Sequence, residues 1–324
     1  MDLNVSMMSL GKIVSPSIAK SVAELDFSLA EWDRNPRIAK LLSRTVLSGG
    51  KRLRPLITFM VADLFHVAHD RVGPLARMVE LVHASTLAHD DVVDNAEVRR
   101  GLPSINVVAS NKQAVLAGDY LLSFVLQEIA ATGRNDLVVE MARIIADLAE
   151  GEWLQIENAI KSDLTWNDIE SVAFHKTASV LRWSFVAPAM VANMDAEFLQ
   201  KCRRLGEAIG IAFQLTDDIL DFKRVDGAEN ADMKNRVINA VIFEALSLKY
   251  KSSSLDMTQI VDLDVSATLD EAIRLVRTRV DQLVTESKRL LHEITDTYEK
   301  ERGYRSESSL EKLSTMIDFL AQRI

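Results

Sequence analysis

Apolar residues recur along this chain at spacings of three and four, with polar positions filling the rest of each turn, the signature of amphipathic and buried helices. A polar-faced helix is predicted over residues 17–34, ending near Asn35-Pro36, and a second over 37–48, stopped by Gly49-Gly50. Further helices are predicted over 55–66, 73–98, 111–131, 136–159 and 167–192, with Gly101-Leu102-Pro103 and Gly133 as stop signals. Residues 208–222 carry the stripe Ala208, Ala212, Leu215, Ile219 and Phe222 at spacings of four, three, four and three. Residues 222–236 are charged and lack a period, so a loop gives way to helix near 237. After a polar connection over 251–266, amphipathic helices over 267–296 and 307–323 close the chain. Strands are hard to find, and no shift in composition marks a boundary. The expected fold is all-α, a single domain over 1–324 built as a bundle of about ten or more helices.

Two of these helices carry acid clusters. Residues 83–106 contain Asp90, Asp91 and Asp94, followed by Arg99 and Arg100. Like charges one turn apart destabilise a helix by roughly 0.2–0.5 kcal/mol, and most such clusters are solvated faces. Here Leu81, Ala84, Ala88 and Val92 form one apolar stripe, and Val79, Val82 and Val93 cover much of the remainder. A mostly apolar helix is buried, and buried carboxylates need cations beside them. His83 lies within about 40° of Asp90 and Asp94 on the helical wheel. The cluster repeats as Asp217, Asp218 and Asp221 behind the second stripe. One DDxxD is a weak signal, but two on apolar helices suggest carboxylates that hold hard cations in a bundle core. Magnesium takes a few carboxylates and substrate phosphate oxygens, which implies a diphosphate ligand. Lys51, Arg52 and Arg54 follow a glycine pair that lets an anion approach closely. Read alone, that stretch could equally be a solvated turn.

In these residues the chain resembles the trans-polyprenyl diphosphate synthases. The matching stretches are GGKRLRP at 49–55, the first aspartate motif with RRG at 99–101, NKQAVLAGDYLL at 111–122, EGEWLQ at 150–155, HKTAS at 175–179 and FQLTDDILD at 213–221. Their order and spacing are similar to the family's, and the likeness extends from about residue 35 to the C-terminal region. The resemblance implies an isoprenoid synthase bundle around a central cavity, working as a homodimer. It implies magnesium, three ions when diphosphate is bound, on Asp90, Asp94 and Asp217, with Asp91, Asp218 and Asp221 as direct or water-mediated partners. The implied substrates are isopentenyl diphosphate, on Lys51, Arg54, His83 and Arg100, and an allylic diphosphate, on Arg99, Lys176, Thr177 and Gln214. Asp90, Asp94, Asp217 and Lys176 would be catalytic. Ser85 and Thr86, five and four residues before the first aspartate, correspond to the family's chain-length position. Both are small, so products longer than farnesyl are expected, from hexaprenyl to decaprenyl.

The chain departs from the family pattern at 222–240, where Ala228 follows Gly227 and Arg236-Val237-Ile238-Asn239 replaces a Gly-Lys-x-Thr. Two expected cations are missing there, although Lys223, Lys234 or Arg236 lie nearby in sequence. A regulatory or weakly active subunit is therefore one alternative. Intact aspartate motifs argue against it. A class I terpene cyclase is another, and the GGKRLRP and RRG cations, which serve a second diphosphate, argue against that one. The stretch is expected to order on ligand binding.

Composition narrows the partners. Of 324 residues 48 % are hydrophobic, with only 12 Gly and 6 Pro, enough for a large helical core. A net charge of −9 argues against nucleic acid. The single Cys202 cannot form an internal disulfide, which points to a reducing compartment, the cytoplasm. No apolar run approaches ~18 residues, so no membrane span is expected, and the first twenty residues lack a signal-peptide core.

Overall fold

The computed structural model describes residues 11, 13–29, 35–223 and 237–322. These form two compact units, one running up to Ile145 with Trp183–Met194, the other comprising Ala146–Arg182 with the described residues from Asp195 onward. Helices make up 75 % of the structure, which bears out the all-α expectation.

The helices are α1 (Pro16–Ala23), α2 (Pro36–Arg44), α3 (Leu53–Leu64), α4 (His69–Val93), α5 (Ile105–Val108), α6 (Asn111–Ala131), α7 (Asn135–Asn158), α8 (Trp166–Ala173), α9 (Ser179–Val191), α10 (Ala196–Lys223), α11 (Ala240–Tyr250), α12 (Leu269–Arg302) and α13 (Glu307–Ala321). A π-helical turn, Phe174–Ala178, joins α8 to α9. Local chemistry sets several ends. Ser15 and Asn35 cap α1 and α2, accepting hydrogen bonds from Ile18 N and Arg37 N, with Pro16 and Pro36 as first residues. Gly303, with φ of 68°, terminates α12.

Three predicted elements differ. The helix expected over 17–34 stops at Ala23, because the Asp26 carboxylate accepts from Ser28 N at 2.7 Å and Ser28 Oγ at 2.9 Å and turns the chain. The helix expected to reach 98 ends at Val93, where Asn95 adopts φ of 51°. Beyond it lies a two-stranded hairpin, β1 (Val98–Arg99) with β2 (Leu102–Pro103), turning through Arg100 and Gly101 at φ of 54° and 77°. The polar connection over 251–266 contains Ser254–Leu255, β4, which pairs antiparallel with β3, Leu164–Thr165. The altered stretch falls largely on residues 224–236, outside the described residues.

In the first unit α4 packs against α3 and α6. Leu81, Val82, Ala84 and Ala88 of α4 are buried with Leu121 and Phe124 of α6, and each large aliphatic side chain so buried contributes roughly 1.5–3 kcal/mol. Trp183, fully buried, donates from Nε1 to the Leu75 carbonyl at 3.0 Å. By length and average composition α6 would suffice to cross a membrane, although Lys112, Asp119 and Glu128 interrupt its apolar residues. One of its faces, including Ala114, Ala117, Gly118 and Leu121, is nevertheless buried in the protein. In the second unit α10 packs along α12, and Leu215, Ile219, Val241, Ile242, Leu246, Val276 and Val280 share one core.

Candidate active site

In the first unit, α4 delivers Asp90 and Asp91 in its last turn and Asp94 at its C-cap, where Asp94 N donates to Asp90 O at 2.8 Å. Asp90 is partly buried and Asp94 exposed, whereas Asp91 is fully buried. Asp91 Oδ1 accepts from Arg99 Nε at 2.8 Å and lies 2.7 Å from Arg99 Nη2, and Oδ2 accepts from Ile105 N at 3.3 Å. Arg99, read from sequence as a diphosphate ligand, is thus engaged by Asp91 as well.

The hairpin turn aims Arg100 at the glycine pair. Arg100 Nη1 donates to Ser48 O at 2.9 Å, and a Cβ at Gly50, whose φ is 94°, would lie 3.0 Å from that nitrogen. A side chain there would press on the guanidinium by a few tenths of an ångström, and the backbone conformation itself is one that glycine adopts without strain. Arg52, in a left-handed conformation with φ of 50°, donates to Glu80 Oε1 at 2.8 Å and Leu47 O at 2.6 Å, and stacks 4.3 Å above the Phe27 ring. His83 lies within the fields of Arg54, Arg100, Arg99 and Arg52. Burial first, then these four cations, hold its pKa well below the ordinary imidazole value. The imidazole is therefore neutral at pH 7. The structure brings Arg54, Arg99, Arg100 and Arg52 around His83; from sequence, Arg52 is grouped with Lys51 and Arg54 behind the glycine pair, without a role of its own. Lys51 immediately precedes this group in sequence.

Ser85 is fully buried and donates to Gly118 O at 2.9 Å, so it faces α6; Thr86, partly buried, donates to His83 O at 2.9 Å. His89 was not singled out from sequence. Its Nε2 lies 3.2 Å from Val115 O and 3.4 Å from Asp119, directly over Gly118, where a Cβ would come within 2.2 Å.

In the second unit, α10 presents Asp217 and Asp221, both partly buried, and Asp218, which is 6 % exposed. Asp218 Oδ1 accepts from Gln214 Nε2 at 2.8 Å and Oδ2 from Ala240 N at 3.0 Å. Gln214 Oε1 in turn accepts from Thr177 Oγ1 at 2.6 Å. Thr177 and Lys176 both lie in the π-helical turn, a feature frequent at functional sites. Lys176 Nζ donates to Gln155 Oε1 at 2.8 Å and lies 2.6 Å from Glu152 Oε1. Two glycines seat the turn. A Cβ at Gly151 would meet Lys176 N at 2.8 Å, and one at Gly210 would meet Ala178 Cα at 2.3 Å. A cavity of about 260 Å³, lined in part by Gln155, Lys176, Gln214, Asp218, Asp221 and Asn239, opens among these groups.

Sequence reasoning missed Glu152 and Gln155 as partners of Lys176, although both lie in the EGEWLQ stretch. It also missed a grouping of Asp147, Glu150 and His175, whose ligand atoms lie within 4.8 Å of one another. The spacing of three between Asp147 and Glu150 was the available clue. His175 Nδ1 donates to Ser171 O at 2.8 Å, and Arg182 Nη2 donates to Asp147 Oδ2 at 2.7 Å. The guanidinium already supplies that carboxylate with a cation.

The polyprenyl synthetase family profile matches residues 35–276. A prenyl transferase from Porphyra purpurea is 30 % identical over 268 residues, 80 % of this chain and 81 % of that one. A prenyl transferase from Cyanophora paradoxa is 32 % identical over 206 residues, 61 % of this chain but only 64 % of the relative's own length. Among solved structures, a decaprenyl diphosphate synthase from Rhodobacter capsulatus superposes with a TM-score of 0.79 at 26 % identity, over 95 % of this chain and 97 % of that one. The profile takes in both aspartate helices, the glycine pair and the π-helical turn, and the protein belongs to the polyprenyl synthetase family.

Proposed function

We propose that the protein is a trans-prenyltransferase, acting as one catalytic domain, that adds isopentenyl diphosphate head-to-tail to an allylic prenyl diphosphate and yields medium-to-long polyprenyl diphosphates. The observation that carries this reading is the pairing of acid with base in each unit. Asp90 and Asp94 accompany the arginines around His83, and Asp217 and Asp221 accompany Lys176, Thr177 and Gln214. The six aspartates offer oxygen donors only, which suits a hard cation. Magnesium, three ions in the proposed working state, would be held chiefly by Asp90, Asp94, Asp217 and Asp221, supplying Lewis-acid charge at the leaving diphosphate.

The chain's own residues do the rest. Lys176 leaves Glu152 and Gln155 to donate to the allylic diphosphate, and the second N–H of the Gln214 amide donates beside it, both where negative charge develops as the C–O bond breaks. Arg54, Arg100, Lys51 and neutral His83 hold the diphosphate of isopentenyl diphosphate and orient its double bond toward the allylic carbon. The alkene electrons form the new C–C bond, and a proton then passes to the departing pyrophosphate. Small side chains at Ser85 and Thr86 favour extension beyond farnesyl.

A homodimer belongs to the same proposal and is supported by the exposed Val107, Val108, Val115 and Leu116 on α5 and α6. So does a reducing compartment, the cytoplasm, which goes with one buried cysteine. Incubating the purified chain with labelled isopentenyl diphosphate, farnesyl diphosphate and magnesium should give products of more than three isoprene units. Absence of condensation with every allylic primer would refute the reading.

A further inference from the structure

The grouping of Asp147, Glu150 and His175 belongs to neither aspartate helix motif, and the condensation chemistry leaves it unused. Asp147 and Glu150 stand three apart on α7, hence on one face, and His175 lies in the π-helical turn that packs there. The two elements meet at Gly151, where a Cβ would come within 2.9 Å of His175 Cβ and 2.8 Å of Lys176 N. That close approach sets the acids on either side of the glycine against successive residues of the turn. Glu152 Oε1 lies 2.6 Å from Lys176 Nζ, and Glu150 Oε2 lies 3.7 Å from His175 Nε2. One ligand atom from each of Asp147, Glu150 and His175 falls within 4.8 Å of the other two, a span that bonds of about 2.0–2.2 Å to a shared ion close with small side-chain rotations.

Two further features suit the group to an ion. His175 Nδ1 donates to Ser171 O at 2.8 Å, so in the neutral ring the lone pair lies on Nε2, the nitrogen that faces Glu150. Packing holds the ring in that pose, with 15 % of the side chain exposed and its edge against Phe174 at 4.8 Å between centroids. The charge is also unbalanced. Arg182 donates to Asp147 Oδ2 at 2.7 Å and leaves Oδ1 to accept elsewhere, and it is shared with Glu207 at 3.4 Å. With Glu150, three carboxylates thus face one guanidinium, and a charge of −2 remains. From this geometry we infer a second metal site, separate from the oxygen-only aspartates, in which Asp147, Glu150 and His175 bind a divalent transition ion of the zinc class and water completes its coordination. An imidazole among carboxylates selects such an ion over magnesium, and Glu150, whose side chain is 61 % exposed, gives it entry from solvent. A bound ion ties the π-helical turn to α7 immediately beside Lys176.

The site stands apart from the prenyltransferase reading, and so does its test. The full-length protein and its Glu150→Gln, His175→Gln and Asp217→Asn variants are titrated with Co2+ in excess Mg2+, read by the visible absorption of the bound ion and by its displacement with Zn2+. Deuterium uptake by peptides covering residues 171–178 is then compared with and without Zn2+. Wild type and Asp217→Asn should bind Co2+ alike and release it to Zn2+. Removing even a partner of a ligand costs about 10–100-fold in metal affinity, so Glu150→Gln and His175→Gln should each bind at least about ten-fold more weakly. Zn2+ should slow exchange across the turn in wild type and not in Glu150→Gln. Absence of Co2+ absorption in wild type overturns the assignment, as does binding that Asp217→Asn weakens as far as His175→Gln, which would place the ion on the aspartate helices. If His175→Gln does not fold, wild-type affinity in Glu150→Gln, a change on an exposed side chain, overturns it alone. Exchange over 171–178 that ignores Zn2+ refutes the tie between the turn and α7.

Discussion

Gly210 lies one turn before Gln214 on α10, and replacing it with alanine tests whether the π-helical turn is held in place by close packing. A Cβ there would lie 2.3 Å from Ala178 Cα and 2.6 Å from its Cβ, where ordinary contact begins at 3.4 Å. The shortfall is about an ångström and the obstacle is backbone, so either the turn or α10 must move in an interior that is already close-packed. Overpacking of this kind costs roughly 1–3 kcal/mol. The gain in helix propensity from Gly to Ala, roughly 0.5–1 kcal/mol, offsets part of it. Gly73 on α4 is the control, because nothing lies within 4 Å of a Cβ there, and Gly73→Ala should show the propensity gain alone. Thermal melts should therefore move in opposite directions, Gly210→Ala falling and Gly73→Ala rising, each by a few degrees. The residues displaced are Lys176 and Thr177, immediately before Ala178. A misplacement of about an ångström can cost about 10²-fold in rate, so condensation by Gly210→Ala should fall by about that factor at a temperature where it is fully folded. A Gly210→Ala protein that melts no lower than wild type and turns over normally would refute the packing argument.

The pH dependence of stability should carry a signature of His83: the unfolded chain binds a proton near pH 6.5 that the folded chain refuses, so stability is intact above that value and is lost as pH falls toward the lower folded pKa. His83→Asn should flatten the slope of unfolding free energy below pH 6.5 by up to about 1.4 kcal/mol per pH unit, and identical slopes in urea titrations would contradict the assignment. Arg100→Ala should raise the apparent KM for isopentenyl diphosphate roughly 10–100-fold, as expected for losing a charged hydrogen bond, with little change for the allylic substrate; equal changes in both would defeat the division of sites. Ser85→Phe should shorten the product by several isoprene units and, since Ser85 is fully buried against Gly118 O, cost roughly 1–3 kcal/mol of stability; an unchanged product distribution would remove Ser85 from length control.

Most helices were legible because their apolar period runs unbroken and their caps are spelled in Ser, Asn, Pro and Gly. The failures share a cause: a local side-chain bond or a special backbone angle overrode the pattern. Asp26 closes a turn inside a stretch that reads as helix. The segment after Asp94 continues in helix-compatible residues, but a left-handed Asn95 and the Arg100-Gly101 turn convert it into a hairpin. The π-helical turn was invisible for a different reason. One extra residue per turn shifts the phase of everything after it, and the contacts that seat it come from Gly151 and Gly210, each more than twenty positions away in sequence.

The aspartates show where a legible signal went unused. Adjacent residues on a helix are about 100° apart, so a DD pair never presents two equivalent carboxylates. Measured on the wheel, Asp91 falls about 20° from Ala84, in the apolar stripe, while Asp90 falls about 120° away. Asp218 falls about 60° from Leu215 and Asp217 about 180° from Ala208. The middle residue of each motif was therefore directed inward by spacing alone, and an inward carboxylate must be bonded. Sequence does not supply its partners, because Ile105 N and Ala240 N are reached only after the chain has left the helix and started another. The spacing that groups three carboxylates thus also divides them. Two are reached by solvent, and the third accepts a hydrogen bond from the backbone that follows.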